Sequence, residues 1–365
     1  MPSVTDRAYP PHALARPTIS AAFSALLATV LFALPPDVRA QPADKVLNLY
    51  SARHYQTDEA LYNGFTQKTG IRINRIEAGD EALLERLRTE AGASPADVLL
   101  LVDAARLWKA QQENLFLPIR SAVLEARIPS SLRAAQGEMG FAWFGISTRA
   151  RILISNRARI ADSAVSKYAD LADPALKGKV CTRSAAHPYM LSLIASIVAH
   201  EGEGAASRWA AGVVANFARS PRGGDTDQIR AVASGECGVA LTNTYYLVRM
   251  MQSDRPADRD ALQKIRVTWP DQDGHGTHIN VTGGGVARHS KNRAAAVSFL
   301  EYLASDEAQR YLADGNNEWP AVPGVRINNP SLEALGRFKP DPLPVDALGK
   351  AQASAARLID RVGWR

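Results

Sequence analysis

Cysteine is scarce in this sequence: its 365 residues hold two, Cys181 and Cys237. Zinc ribbons and iron–sulfur clusters draw on larger thiolate sets, so both are excluded. Charge of one sign is not massed anywhere either. The 43 basic residues outnumber 37 acidic ones, a net charge of +6, but they are dispersed, and the clustered footprint of a nucleic-acid-binding protein is missing. No Gly-x-Ser-x-Gly nucleophile elbow and no His-Glu-x-x-His pair occur, which leaves a secreted hydrolase without its machinery. Long hydrophobic runs are lacking too. The apolar stretch at residues 21–34 is shorter than the ~20 residues that span a bilayer.

What is there is a globular composition, 46% hydrophobic and 22% charged, in a chain long enough for two domains of about 150 residues each. Arg7 and Arg16 precede the uncharged apolar stretch, and Val38-Arg39-Ala40 places small residues where signal peptidase reads them. Residues 1–40 are therefore expected to be a secretory signal peptide, without a twin-arginine pair or a lipobox cysteine. An exported chain folds where thiols oxidise. Cys181 and Cys237 then fit either a disulfide or two buried thiols packed as small hydrophobes.

Beyond the leader, strand and helix signals alternate. Leu47 and Leu49 mark a strand, residues 58–68 a helix stopped by Gly70, and Ile71 and Ile73 the next strand. Leu83, Leu84 and Leu87 then follow helical spacing, and the apolar run at 97–102 suits a strand buried on both faces. Such alternation implies a parallel sheet. A second series has strands at 152–154, Val180 and 239–242, with helices at 191–199, 205–217 and 228–233. Gly283, Gly284 and Gly285 are expected to interrupt an extended run near Asn280, before a helix at 293–303. The expected fold class is α/β and bilobal: two mixed-sheet lobes joined by extended crossovers near 143–154 and 277–286. The N-terminal lobe would hold 41–145 and about 276–315, the C-terminal lobe 146–275 and about 316–365, with the ligand beyond the strands' carboxyl ends.

Four of the ten tyrosines, Tyr55, Tyr189, Tyr245 and Tyr246, fall where a strand hands over to a helix. A phenol titrates near pH 10, so it ionises at neutral pH only beside a strong positive centre. Oxygen ligands select hard cations, and Fe³⁺ is the abundant hard candidate. Four phenolates around Fe³⁺ leave one negative charge for Arg53, Arg183 or Arg249 to offset. Tyrosines at strand ends also make stacking walls for sugars or amines, and spacing alone leaves both readings open.

The segments Tyr50-Ser-Ala-Arg-His-Tyr55, Pro95 to Trp108, Trp143 to Arg151, Arg183 to Tyr189, Gly224-Asp-Thr-Asp-Gln-Ile229 and Asn243-Thr-Tyr-Tyr246 carry a resemblance that spans nearly the whole mature chain. The chain resembles the ferric-ion-binding periplasmic proteins of ABC iron importers, a branch of the type II periplasmic binding proteins, in the clade with a His-Tyr pair after the first strand. The resemblance implies that Tyr55, Tyr189, Tyr245 and Tyr246 ligate one Fe³⁺, with His54 as a fifth ligand. Some relatives complete the shell with water or an anion such as carbonate. Arg149 and Arg151 alternate along a strand that borders the cleft in this family, and with Arg53, Arg183 and Arg249 they are expected to stand behind the ligands or hold an anion. The implied partners are ferric ion and the transmembrane subunits of an ABC permease, and the implied form is a periplasmic monomer. A receptor for an organic cation or small anion on the same fold is the competing reading, because fold does not decide cargo.

Other residues are expected to be structural. His187-Pro188 departs from the family pattern before Tyr189, and His187 is read as an exposed loop residue. His275 and His278 are read as polar crossover residues, Asp225 and Asp227 as helix caps, and Trp108, Trp143 and Trp319 as packing between helices and strands. Amino-terminal sequencing of exported protein is expected to begin at Gln41; a mature form that keeps residues 20–34 in the membrane overturns the leader assignment.

Overall fold

The computed structural model describes residues 45–53 and 55–365; the expected signal peptide, residues 1–40, and His54 lie outside them. The described chain opens with β1 (Val46–Ser51), α1 (Asp58–Thr69), β2 (Arg72–Glu77), α2 (Asp80–Glu90), β3 (Val98–Leu101) and α3 (Ala104–Gln112). Local chemistry sets the boundaries. Acidic Asp58 and Glu59 occupy the first turn of α1, and Gly70 closes it at φ 70°. Asp103 caps α3 by accepting the N–H groups of Ala105 and Arg106. The three strands are parallel, with β1 between β2 and β3.

The remainder runs α4 (Ala122–Arg127), β4 (Phe144–Asn156), β5 (Val180–Cys181), α5 (Pro188–Ala215), α6 (Asp225–Ser234), β6 (Val239–Asn243) and α7 (Thr244–Met251). Then come α8 (Pro256–Lys264), β7 (Ile265–Thr268), β8 (Ile279–Val286), α9 (Arg293–Leu303), α10 (Asp306–Asn316), β9 (Trp319–Pro320), α11 (Pro330–Glu333) and α12 (Asp346–Val362). Within α5, Gly202 at φ 79° and ψ 161° breaks the helix, dividing it much as the two separate helical signals implied.

The strand order is β2-β1-β3-β8-β4-β6-β5, with β7 and β9 also on β4. The thirteen-residue β4 is shared between the two halves. Its first part, from Phe144 to Ala150, pairs antiparallel with β8, and its second, from Arg151 to Ser155, pairs with β6. The architecture is thus bilobal and mixed α/β. One core gathers Leu49, Phe65, Leu99, Phe144, Val281 and Phe299. In the other lobe Leu153 enters a cluster with Ile194 and Leu241, while its neighbours Ile152 and Ile154 enter a second cluster with Ile229 and Leu247, so both sheet faces are covered.

The glycine triplet corrects an expectation: it continues β8 rather than interrupting it. A β-carbon on Gly284 would lie 2.3 Å from Leu100 Cδ2, and one on Gly285 would lie 2.2 Å from the Ala142 carbonyl oxygen. Here glycine permits close strand packing. The helix α12, not foreseen from the sequence, reaches both cores: Leu348 packs in the first, and Leu358 and Ile359 in the second. Cys181 and Cys237 form a disulfide with Cα atoms 5.8 Å apart, tying β5 to the loop after α6. No helix among the described residues is long and apolar enough to cross a membrane.

His278, beside β8, is buried rather than merely polar at a crossover; its ring lies 2.8 Å from Ser192 Oγ. Burial, with Arg149, Arg151 and His200 nearby, pushes its pKa down to about 3. The folded-state value lies below the unfolded one, so as pH falls the unfolded chain takes up a proton that the folded chain refuses. Stability is then lost between about pH 6.5 and pH 3, at about 1.4 kcal/mol per pH unit for this residue. Urea titrations across that window are expected to show a shallower acid limb in His278→Gln; an unchanged slope assigns the acid sensitivity elsewhere.

Candidate metal centre

Three strand ends converge on one cluster of phenols. After β1 the chain passes through Arg53 to half-buried Tyr55 before α1 begins. After β5 it reaches α5, where His187 caps the helix by accepting the Tyr189 N–H on Nδ1 at 3.2 Å, and Pro188 occupies the first helical position. After β6, Thr244 opens α7 and places Tyr245 and Tyr246 in its first turn. Tyr245 Oη donates to Tyr189 Oη at 2.8 Å, and the Tyr245 and Tyr246 rings lie 4.3 Å apart. Neighbouring helical residues diverge by about 100°, but helical side chains lean back toward the N-terminus, so two long rings in a first turn can meet beyond the helix end.

The electrostatics join Tyr55 to the others. Burial raises the Tyr55 phenol above its ordinary value; Glu318 and Tyr189 add to this, and Arg53 and Arg149 oppose it. Tyr189 is likewise raised by burial against the pull of Arg149. Tyr245 is pushed well up, by burial first and then by Tyr189, Tyr55 and Tyr246. These groups are neutral phenols at pH 7 until a cation favours their ionised form.

Arginines surround the cluster, each in a different setting. Arg149 is 3% exposed, 5.5 Å from the Tyr189 ring, and donates to Thr282 Oγ1 and the Val102 carbonyl. Among the described residues no carboxylate is hydrogen-bonded to it, and its Nε has no partner. Arg151 and Arg183 share the fully buried Asp225, and Arg183 also stands 5.1 Å from the Tyr189 ring. Arg53 lies 5.2 Å from the Tyr55 ring and bonds Asp58 at 2.8 and 2.9 Å and Glu318 at 2.9 Å. Its donors are thereby turned toward protein carboxylates rather than toward an anion. Arg249 is exposed, 5.8 Å from the Tyr246 ring, on a cavity of about 360 Å³ that also touches Tyr55, Thr57, Gln252, Asn316 and Asn317.

Several expectations need correction. Asp227 accepts the Gly224 N–H as a cap does, but Asp225 is the counter-ion of two arginines and also accepts the Asn243 N–H at 2.7 Å. His187 is no exposed loop residue: its ring packs 4.5 Å from Tyr189, and burial, helped by Arg183, pushes its pKa down to about 3. His275 stacks on His200 at 3.8 Å. Glu318, which no local pattern flagged, contributes a buried carboxylate beside Tyr55. Among the described residues, no group of three or more His, Cys, Asp or Glu side chains is arranged to hold a metal.

Residues 60–338 match the family model of the bacterial extracellular solute-binding proteins. The chain is 46% identical over 354 residues to iron uptake protein A2 of Synechocystis sp., covering 96% of this chain and 99% of that protein. It is 26% identical to the Fe(3+)-binding periplasmic protein of Serratia marcescens over 92% of this chain and 94% of that one. Among solved structures, Trichodesmium IdiA (FutA) in complex with iron and citrate superposes with a TM-score of 0.83 at 46% identity, covering 88% of this chain and all of that one. The ferric binding protein from Campylobacter jejuni gives 0.80 at 39% identity, over 87% of this chain and 100% of that one. By sequence and by fold alike, the chain belongs to the bacterial extracellular solute-binding proteins.

Proposed function

We propose that this protein captures Fe³⁺ between its lobes through the phenolates of Tyr55, Tyr189, Tyr245 and Tyr246, and delivers it in the periplasm, as a monomer, to the transmembrane subunits of an ABC permease. It binds and releases its cargo without transforming it. The observation that carries this reading is the phenol cluster itself, with Tyr245 bonded to Tyr189 at 2.8 Å and Tyr55 close enough to raise Tyr245. Relatives named for iron uptake and Fe³⁺ binding, and a neighbour holding iron and citrate, support it. Four phenolates on Fe³⁺ leave one negative charge, and the guanidinium of Arg149, to which no carboxylate among the described residues is hydrogen-bonded, offsets it. His54, water or an anion such as carbonate completes the shell.

The reading has a visible consequence, because phenolate-to-ferric charge transfer absorbs visible light. Purified protein titrated with Fe³⁺ is expected to colour. Each of Tyr55→Phe, Tyr189→Phe, Tyr245→Phe and Tyr246→Phe is expected to shift or weaken the band and lower affinity, since the ring stays and only the ionisable oxygen goes. Tyr62→Phe, in the first core against Phe299, is the control that keeps both. A colourless wild type overturns the ferric reading; an unchanged band and affinity in one variant removes that tyrosine from the ligands.

The lobes are taken to divide as 41–145 with about 276–315 and 146–275 with about 316–365, so Tyr55 faces the other three tyrosines across the cleft. Ligands drawn from both sides tie binding to closure. Small-angle scattering is expected to show a smaller radius of gyration on saturation with Fe³⁺. Equal values for the two forms speak against ligands split in this way.

A further inference from the structure

Three consecutive buried residues, Asn316-Asn317-Glu318 at the end of α10, connect the surroundings of Tyr55 to the helix that carries Tyr245 and Tyr246. We propose that this tripeptide is the positioning element that sets Tyr55 against the Tyr245–Tyr246 pair, an inference that rests on reading the phenol cluster as a ferric site.

Two of its members hold the Tyr55 side. Asn316 Nδ2 donates to Asp58 Oδ1 at 2.7 Å, and its Oδ1 accepts the Thr57 hydroxyl, so it grips the start of α1 directly after Tyr55. Glu318 Oε2 accepts Arg53 Nη1 at 2.9 Å and Ser147 Oγ at 3.0 Å. Arg53 is also clamped by Asp58 and lies 5.2 Å from the Tyr55 ring, so the carboxylates fix the guanidinium and the guanidinium backs the phenol.

The middle residue holds the other side. Asn317 Nδ2 donates to Gln252 Oε1 at 3.1 Å, at the C-terminal cap of α7. Asn329 closes a ring of amides, donating to Asn317 Oδ1 at 2.6 Å and accepting from Gln252 Nε2 at 3.2 Å. Val248 of α7 packs alongside with Ala313 and Leu332. The backbone makes this division of labour possible. Asn317 takes a left-handed conformation, φ 61° and ψ 27°, so three successive side chains leave the helix end toward three different partners.

Asn317→Gly keeps that left-handed backbone and deletes only the amide, and Gln252→Ala removes the facing amide from the exposed end of α7. Iron release to a competing chelator, followed by the charge-transfer band, reads the geometry of the ligand set directly. Both variants are expected to release Fe³⁺ about three- to tenfold faster than wild type, the equivalent of one net hydrogen bond, with a shifted band. If Asn317→Gly fails to fold, Gln252→Ala decides. Variants that melt earlier yet keep the wild-type release rate and band reduce the tripeptide to a structural role and overturn the proposal alone. A wild type that neither binds Fe³⁺ nor colours overturns the ferric reading, and the proposal with it.

Discussion

A charge taken out of water must find a partner, and the arrangement around the phenol cluster follows from how each buried guanidinium meets that demand. Arg53 is paired with Asp58 and Glu318, and Arg151 and Arg183 with Asp225. Arg149 is different: its hydrogen bonds go to neutral oxygens. Burial works against its charge, yet Tyr189, Tyr245, Glu318 and Asp103 together still raise its pKa. Such a group is most stable when anions form beside it. Tyr189 and Tyr245 are among the groups that face it, so on the proposed ferric reading the fold holds a fixed positive charge where phenolate would form.

That charge sits where it does because of β4. The strand passes from β8 to β6 at the step from Ala150 to Arg151, so Arg149 and Arg151, two residues apart and on one face, straddle the change of partner. Strand ends from both halves meet at this seam, and helices α1, α5 and α7 begin there. Two of those helices present tyrosines in their first turn, where the helix dipole also favours negative charge.

What could be read from the sequence was whatever local pattern encodes. Leu47 and Leu49 alternate, Leu83, Leu84 and Leu87 follow a helical stripe, and the tyrosines fall just after strand-like runs; these features need only a few neighbouring residues. The partners of the arginines could not be read, because Arg53 and Glu318 stand 265 positions apart and Arg151 and Asp225 74 apart. Asp225 looked like a cap because it does begin a helix, and the same residue turns its carboxylate to an ion pair. The glycine triplet misled for a related reason: glycine weakens an isolated strand, and only the approach of Leu100 and Ala142 explains its place in β8.

Burial of the phenols bears on which cargo the cluster suits. Desolvation leads the causes that raise Tyr55, Tyr189 and Tyr245, so each proton lost there has to be offset by an interaction stronger than water supplies. A singly charged organic cation offsets little of that cost and leaves most of the phenols protonated, and protonated phenols compete for one another as Tyr245 and Tyr189 do. A small trivalent ion gains from every phenolate formed around it, and each new anion also gains from the fixed charge of Arg149. On the proposed ferric reading, the burial that raises Tyr55, Tyr189 and Tyr245 therefore favours a cation of high charge density over the stacking ligands that surface tyrosines accept.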